Sequence, residues 1–288
     1  MSDGSTLGPE VAVAKRSNES GIAGRYLQSR TVSPDMSQTS VPLKSAKTTM
    51  EVLGALRDLD GAGVTEVADH LSMPTSSAHD YLRTLEREGY IVQENGVYRV
   101  GAWFLGTGEY YRSSKAIYEV GRPEVDEMAE ETGEHANLMI EEHGLGVFLY
   151  RARGENAVEL DTYSGMRVHL HTTSMGKAIL AHRPRQEVEE VIDRHGLPQS
   201  TSSTVTNRDH LFEEFDRIRE QGYATDDEER IKGTRCVAAP ILSDDGRSLG
   251  AVSISAPKSR LYGDGFEEET PAIVMDHANV IQLNLTYG

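Results

Sequence analysis

The segment from residue 64 to residue 101 constrains the fold of this chain more than any other part of it. Its pattern predicts a short helix, a tight turn, a second helix and a two-stranded hairpin. Thr65 is a candidate N-cap of the first helix, and Pro74 separates the helices because proline disfavours helical angles in the residue before it. Asn95-Gly96 is typical of a two-residue hairpin turn. This order predicts a winged helix-turn-helix, which places its second helix in the major groove of DNA.

Apolar residues at helical spacing predict a common core for three helices. The second helix of the motif begins at Thr75 or Ser76 and stops at Gly89, which readily adopts a left-handed conformation. A preceding helix over residues 45–59 closes the core. The predicted core residues of these two helices are Met50, Leu53, Leu56, Ala78, Leu82 and Leu85.

The outward face of the second helix carries small and hydrogen-bonding side chains, which suit contacts to phosphates and base edges. Arg83 can bind guanine or a phosphate, and Asp80 can accept a hydrogen bond from cytosine. The alternative is an ordinary solvated helix face. With two hairpin residues included, the candidate DNA-binding set is Thr75, Ser76, Ser77, His79, Asp80, Arg83, Asn95 and Arg99.

The charge of the chain opposes this interpretation, because DNA is an anion. The net charge is −17, and residues 36–112 contain 7 Lys and Arg against 10 Asp and Glu, a net of −3. Either the domain does not bind DNA, or the protein works in the high-salt cytoplasm of a halophile, where counterion release contributes little affinity. The acidity is spread along the whole chain, which favours the second explanation.

The length of 288 residues suffices for two buried cores, so we expect two folded domains and a tail. Residues 1–40 are rich in Ser, Gly, Thr and charge and predict a disordered tail. Residues 41–101 form the winged domain, 102–118 a linker helix and 119–288 a second domain. The linker aromatics pack either against a second copy of the chain or against the wing itself; they are Trp103, Phe104, Tyr110 and Tyr111.

Several protein classes are disfavoured by what the sequence contains. Cys236 is the one cysteine, so an internal disulfide is impossible and a cysteine-based zinc cluster is excluded. Neither a bilayer-spanning apolar run nor a secretory signal is present, which favours the cytoplasm and no membrane partner.

From residue 120 onward the pattern becomes a mixture of helices and strands. We expect helices over 120–131, 174–182, 185–195, 208–221 and 271–285. We expect strands over 136–141, 146–151, 157–163, 236–242 and 250–255. One mixed sheet covered by helices accommodates these elements.

Several stretches of the chain resemble the IclR family of transcriptional regulators, over roughly residues 43–285. They are GYIVQENGVYRVG, HLHTTSMGKAILA, TSSTVT, GYATDDEE and GTRCVAAPI with GAVSISAP. Their order and spacing agree with the family, although each alone is weak. The resemblance implies an α+β or α/β chain, with an N-terminal winged helix-turn-helix and a C-terminal GAF-like effector domain. It also implies a homodimer or homotetramer and control by a small metabolite of sugar or carboxylic acid catabolism.

The resemblance also implies which residues line the effector pocket: Val168, Ser174, Met175, Asp226, Cys236, Ser253 and Ser255. Their physical chemistry is compatible with this role. Ser174 and Met175 open a helix, whose free amides can hold an anion. Ser253 and Ser255 have period-two spacing, so both hydroxyls face one side of a strand. Cys236 suits a tight pocket wall or, equally, an inert buried position.

Other motifs carry less weight. Gly176-Lys177-Ala178 is not a phosphate-binding loop, because the glycine five places earlier and the following Ser or Thr are missing. His169 and His171 on one strand face are a possible metal pair with Asp226 or Cys236, but the ligand set is not closed. The acidic run 226–229 predicts a solvated loop with one inward carboxylate. We therefore expect no metal and no cofactor.

The sequence as a whole predicts a regulator that binds double-stranded operator DNA under the control of a small-molecule effector, and not an enzyme. The alternative is a metabolite-binding protein or enzyme whose winged domain makes protein contacts. The negative charge of the winged region motivates that alternative.

Overall fold

A computed structural model of the chain describes Val32 and residues 42–288. The predicted tail over residues 1–40 lies outside the described residues, apart from Val32. The amide of Val32 donates to the carbonyl of Arg167 at 2.9 Å.

The helices and strands of the predicted winged helix-turn-helix are confirmed. Its bounds are α1 Lys44–Asp58, α2 Val64–His70, α3 Thr75–Arg87, β1 Ile91–Glu94 and β2 Val97–Val100. The two strands pair antiparallel from Ile91↔Val100 to Glu94↔Val97. Asn95 and Gly96 join them with φ of 53° and 84°, the left-handed pair that a type I′ turn requires.

The core of the winged unit differs from the sequence expectation at one position. Val52, Ala55 and Leu56 of α1 are buried with Ala78, Leu82 and Leu85 of α3. Met50 was expected there but is 67% exposed. Because helical positions turn by 100° per residue, the face that buries Val52 and Leu56 turns Met50 outward.

The ends of the helices are set by local hydrogen bonds. The helix α2 begins at Val64 after Gly63, whose amide donates to Glu66 Oε2 at 2.8 Å. The prediction of Thr65 as N-cap is therefore wrong. At the end of α3, Gly89 has a φ of 79° and Tyr90 donates to Leu85 O at 2.9 Å, which is the hydrogen bond of a Schellman stop.

Two helices connect the winged unit to the sheet that follows. They are α4 Trp103–Ser113 and α5 Ala116–Thr132, so the expected linker helix over 102–118 is interrupted at Ser114 and Lys115. Trp103 and Phe104 contact Tyr90 at ring-centroid distances of 4.6 and 5.8 Å. These two aromatics thus pack on the wing, although Trp103 stays 51% exposed.

A six-stranded sheet organises the rest of the chain, in the order β5-β4-β3-β8-β7-β6. Its strands are β3 His135–Glu142, β4 Leu145–Arg153, β5 Arg167–His169, β6 Ala224–Asp227, β7 Thr234–Leu242 and β8 Ser248–Pro257. Between β5 and β6 lie α6 Ser174–Ala181, α7 Arg185–His195 and α8 Arg208–Gln221, and α9 Thr270–Tyr287 closes the chain.

The pairing of this sheet corrects two expectations. Each pair of neighbouring strands is antiparallel, so the predicted mixed sheet is wrong. Tight turns join β3 to β4 and β7 to β8, and a tight turn allows only antiparallel pairing. The predicted strand over 157–163 is irregular chain, because β5 occupies the sheet edge beside β4.

Helices cover both faces of the sheet, and the sheet separates two apolar cores. Leu138, Val252 and Ile254 face α5 and α9, where they pack with Val125, Met128 and Val274. Met139 and Ala238 face α6, α7 and α8, together with Ile179, Val188 and Phe215. No described helix is long and apolar enough to cross a membrane.

Truncation of the first of these cores should destabilise the protein strongly. Leu138 is fully buried beneath α5, so Leu138→Ala should lower the free energy of unfolding by about 2–5 kcal/mol. The control Leu249→Ala removes the same atoms from a side chain that is 41% exposed and should change it by less than about 0.5 kcal/mol. Urea denaturation followed by circular dichroism measures both values, and similar losses would contradict the assigned core.

Candidate functional site

The candidate DNA-facing residues lie together on the exposed side of α3 and on the hairpin. Thr75, Ser76, His79, Asp80 and Arg83 are exposed, whereas Ser77 is half-buried. Among the residues the structure describes, Arg83 has no ion-pair partner within 4 Å, so its guanidinium is available to a ligand outside the chain. The helix therefore presents small polar groups at its N-terminal half, followed by the cation of Arg83.

The two hairpin residues are placed differently. Asn95 occupies the exposed turn at the tip of the hairpin. Arg99 donates to the carbonyl of Asp60, and its Nη1 lies 3.6 Å from the Asp60 carboxylate. Arg99 thus ties the hairpin to the turn after α1, and its charge is already engaged within the winged unit.

A cavity lies between the sheet, the start of α6 and the chain that precedes β5. It contains about 390 Å³ of empty space, including its mouth. The structure brings six candidate effector residues to its wall: Ser174, Met175, Asp226, Cys236, Ser253 and Ser255. Val168 is the exception. It is 4% exposed, belongs to the apolar core beside α6 and does not line the cavity.

The polar wall of the cavity is a row of residues across neighbouring strands. Asp226 on β6 pairs with Cys236 on β7, and Cys236 pairs with Ser255 on β8. Residues paired across antiparallel strands project to the same face. Ser253 lies two residues from Ser255 and shares that face, opposite the fully buried Ala238.

The start of α6 faces this wall with unpaired donors. The amide of Gly176 donates to Thr173 Oγ1 at 3.0 Å, which leaves the amides of Ser174 and Met175 without a helical acceptor. The hydroxyl of Ser174 is buried and has no hydrogen-bond partner among the described residues. Gly176 permits the close approach, because a Cβ there would lie 2.1 Å from Leu170 O. A helix start of this kind binds anions.

Sequence reasoning missed one cation at the cavity. Arg230 lines it, donates to Asp161 Oδ1 at 3.1 Å and lies over the Phe148 ring at 5.9 Å. The indication in the sequence was weak: Arg230 directly follows the acidic run 226–229. Leu160 and Thr162, from the stretch expected as a strand, also line the cavity.

A second missed feature is a buried ion cluster beneath the cavity. Lys177 is fully buried, and its Nζ lies 2.6 Å from Glu214 Oε1 and 2.5 Å from Glu229 Oε1. The backbone amide of Glu229 donates to Asp226 Oδ1 at 2.7 Å. The expectation of a solvated acidic loop with one inward carboxylate is wrong, since Asp226 and Glu229 are only 3% and 7% exposed. The attraction of Lys177 draws the second carboxylate inward.

Burial shifts the protonation of these groups. It raises the pKa of Asp226 to about 6 and that of Glu229 to about 7, although Lys177 pulls both downward. Burial would lower the pKa of Lys177, but the charges of Glu229 and Glu214 outweigh it and raise that pKa. Burial also raises the pKa of the Cys236 thiol, with Asp226 acting in the same direction. The thiol is therefore protonated at neutral pH and is not an activated nucleophile.

The histidine pair expected on one strand face is arranged otherwise. His169 ends β5, whereas His171 lies in the single helical turn Leu170–Thr172. His171 Nε2 lies 3.1 Å from Pro198 O, and burial lowers the pKa of His171 to about 4. Within the described part of the chain, the ligand atoms close enough to share a metal ion belong to Glu124, Glu127 and His277 on α5 and α9. They lie across the sheet from the cavity.

Comparison with known proteins agrees with this architecture. Residues 45–95 match the IclR helix-turn-helix domain, and residues 110–283 match the bacterial transcriptional regulator IclR C-terminal domain. The chain is 35% identical to the probable HTH-type transcriptional regulator ArcR of Halobacterium salinarum, over 84% of this chain and 94% of that protein. It is 30% identical to the HTH-type transcriptional regulator BhcR of Paracoccus denitrificans, over 92% of each.

Solved structures show the same fold. The Thermotoga maritima IclR superposes with a TM-score of 0.71 at 28% identity, over 84% of this chain and 99% of that one. An IclR homolog complexed with 4-hydroxybenzoate, from Microbacterium hydrocarbonoxydans, superposes with a TM-score of 0.70 at 24% identity, over 83% and 98%.

The raised pKa of Asp226 should make the stability of the protein depend on pH. Its folded-state pKa of about 6 exceeds the unfolded value near 3.9, so its contribution is fully present below about pH 4. It is lost as the pH rises through 6. Relative to Asp226→Asn, the wild type should therefore lose about 2 kcal/mol of unfolding free energy between pH 4.5 and 7.5.

The neighbouring Asp227 provides the control for this measurement. A hydrogen bond from Arg235 lowers its pKa to about 2, so its contribution is lost only as the pH falls through about 2. The difference between wild type and Asp227→Asn should stay constant over the same pH range. A constant difference for Asp226→Asn as well, in urea denaturation at each pH, would show that Asp226 is ionised in the folded protein throughout.

Proposed function

Because this chain belongs to the IclR family of DNA-binding transcriptional regulators, we propose that a small carboxylate bound in the cavity controls operator binding by α3. The ligand proposal rests on one observation above all. The free amides that open α6 and the unpartnered Ser174 hydroxyl face a polar wall across a small cavity. Such a concave site with a few convergent polar groups is the usual form of a metabolite site.

The ligand class follows from the balance of donors around the cavity. Two backbone amides, three serine hydroxyls and Arg230 can donate to one anionic group, and charge-assisted hydrogen bonds are the stronger ones. Phe148, Leu160 and Met175 offer an apolar surface for the rest of the molecule. The IclR homolog with bound 4-hydroxybenzoate is a precedent for that class.

The contact to DNA is proposed for the exposed face of α3. We assign base and phosphate contacts to Thr75, Ser76, Ser77, His79 and Asp80 together with Arg83, and minor contacts to Asn95 and Arg99 of the hairpin. Arg99 is the weakest member of this set, because Asp60 already engages its guanidinium.

The acidic winged region is compatible with this role if the protein works at high salt. A relative of 35% identity comes from Halobacterium salinarum. In concentrated salt the release of counterions from DNA adds little affinity, so direct contacts and shape must provide it. We therefore propose operator binding with a weak dependence on salt concentration.

The assembly we propose is a homodimer or homotetramer with domains at residues 41–101 and 119–288, joined through 102–118. Large apolar side chains on α1 and α4 support association, since Met50, Leu105 and Tyr110 are 67%, 76% and 77% exposed. Exposed apolar groups mark protein contacts where they form a contiguous patch. A dimer would place two copies of α3 on two half-sites, and a ligand that prefers one dimer arrangement would change operator occupancy.

Arg83 provides the first test of this function. If it reads a base, Arg83→Ala should weaken binding to the protein's own promoter DNA by about 1–3 kcal/mol, and Arg83→Lys should restore only the part due to charge. Arg217→Ala is a control that removes the same charge from an exposed position of α8, outside the winged unit. Footprinting and gel-shift titration in molar KCl give the affinities. No preference of the wild type for its promoter over random duplex would refute the assigned contact surface.

The serine pair provides the second test. We expect acetate, L-lactate, benzoate or 4-hydroxybenzoate to raise the melting temperature of the wild type, because a ligand stabilises the state it binds. Ser253→Ala combined with Ser255→Ala should remove most of that shift and blunt the response of a promoter reporter, while operator affinity without ligand stays unchanged. The control Ser243→Ala removes a hydroxyl from the half-buried start of the β7–β8 turn, outside the cavity lining. A full thermal shift in the double variant would exclude both serines from the site.

A further inference from the structure

A buried amide lies directly behind the serine pair of the cavity. Asn137 on β3 is 2% exposed and stands opposite Ser253 in the antiparallel pairing of β3 with β8. Its Nδ2 donates to Ser253 Oγ and to Ser255 Oγ, both at 3.2 Å. Its Oδ1 is buried and has no partner among the described residues. Nothing in the sequence pattern distinguished this residue.

The two hydrogen bonds determine what the serine hydroxyls can do. An amide NH₂ has two hydrogens, and both are donated here, one to each hydroxyl oxygen. A hydroxyl that accepts from the amide still carries its own proton, which must point to a different acceptor. Both O–H groups are therefore directed away from Asn137, and because the two serines line the cavity, a ligand there can accept from them.

The opposite orientation of the amide is less favourable. If Oδ1 faced the serines, it would accept both hydroxyl protons and leave the NH₂ group buried with two unpaired hydrogens. Unsatisfied buried donors are costly, and a single unpaired carbonyl oxygen leaves fewer groups unsatisfied. Among the neighbours of the pair, the Cys236 sulfur can accept the Ser255 proton. Sulfur is a weak acceptor that a carboxylate readily replaces.

We propose that Asn137 sets the polarity of the cavity. By occupying the oxygen atoms of Ser253 and Ser255, it turns both hydroxyls into donors and selects ligands that present a carboxylate or carbonyl oxygen to β8. Asn137 is thus a positioning residue for specificity that acts through the serines. The inference rests on the proposed ligand site, because it specifies how that site chooses its ligand.

The cavity wall also carries an acidic group, which explains why donors are needed on the β8 side. Asp226 lies on the same face as Ser255, two strands away, and its carboxyl group would repel an anion. Donors must therefore be held on the β8 side for a carboxylate to enter. Without the hydrogen bonds from Asn137, both hydroxyls could rotate and donate to acceptors in the cavity wall. A carboxylate ligand would then face hydroxyl lone pairs and find no donor on β8.

The decisive variant is Asn137→Asp, which keeps the shape and replaces the donor by an acceptor. Wild type and variant are titrated calorimetrically, as full-length protein, with acetate, L-lactate, benzoate and 4-hydroxybenzoate. We expect the affinity for each carboxylate that binds the wild type to fall by tenfold or more, because the new carboxylate draws the serine protons away. Asn284→Asp adds the same charge at an exposed position of α9 and should leave the affinity unchanged.

A cycle of variants distinguishes a positioning role of Asn137 from a merely structural one. It also provides a test for the case in which Asn137→Asp does not fold. Asn137→Ala should weaken carboxylate binding several-fold in the wild type. It should have no further effect when Ser253 and Ser255 are already alanine. An equal loss in both backgrounds would show that Asn137 acts through packing, and the inference would be wrong.

The remaining outcomes are distinguishable. Binding of a carboxylate that is unaffected by Asn137→Asp overturns the inference alone and leaves the proposed function intact. If none of the four carboxylates binds the wild type, the proposed ligand class fails and the inference fails with it.

Discussion

The ammonium group of Lys177 holds together the part of the structure on which the cavity depends. It is fully buried and lies between the carboxylates of Glu214 on α8 and Glu229 after β6. Burying one charge is costly, but partners of opposite charge offset the cost, whereas removing one partner leaves an unpaired buried ion. The acidic turn after β6 is therefore drawn inward. The hydroxyls of Thr201 and Thr204 fasten it further by donating to the carbonyls of Glu228 and Glu229, each at 2.6 Å.

This inward turn determines the chemistry of the cavity. With Glu229 drawn under α6, Asp226 faces the cavity side of the sheet and Arg230 reaches back over Phe148. Donors on α6 and β8 and the Asp226 carboxyl group on β6 then line the same cavity. A ligand bound as proposed would have to satisfy both sides, and the raised pKa values of Asp226 and Glu229 reduce the negative charge that an anion would meet. Apolar packing fills both faces of the sheet in this domain, and the buried ions hold the acidic turn at the cavity.

Much of the fold and many site residues could be predicted from the sequence. Helical spacing and the Asn95-Gly96 turn predicted the winged unit, which the structure confirms, and the motifs predicted the family, which the comparisons confirm. Ser253 and Ser255 were expected on one strand face and lie there. Other predictions from the sequence were wrong. Met50 was placed in a core that Val52 and Leu56 fill, and residues 157–163 alternate like a strand but lie over the cavity.

The local sequence pattern was thus sufficient to predict an element wherever the contact that decides it lies within a few residues along the chain. Helix faces, hairpin turns and the period of a strand depend on such contacts, and the sequence determined them by itself. The ion cluster of Lys177, the position of Arg230 and the hydrogen bonds of Asn137 join residues that lie 37 to 118 positions apart. Only the tertiary structure decided them, because a buried polar group takes its partner from whichever strand or helix packs against it, and no periodicity in the chain encodes that neighbour.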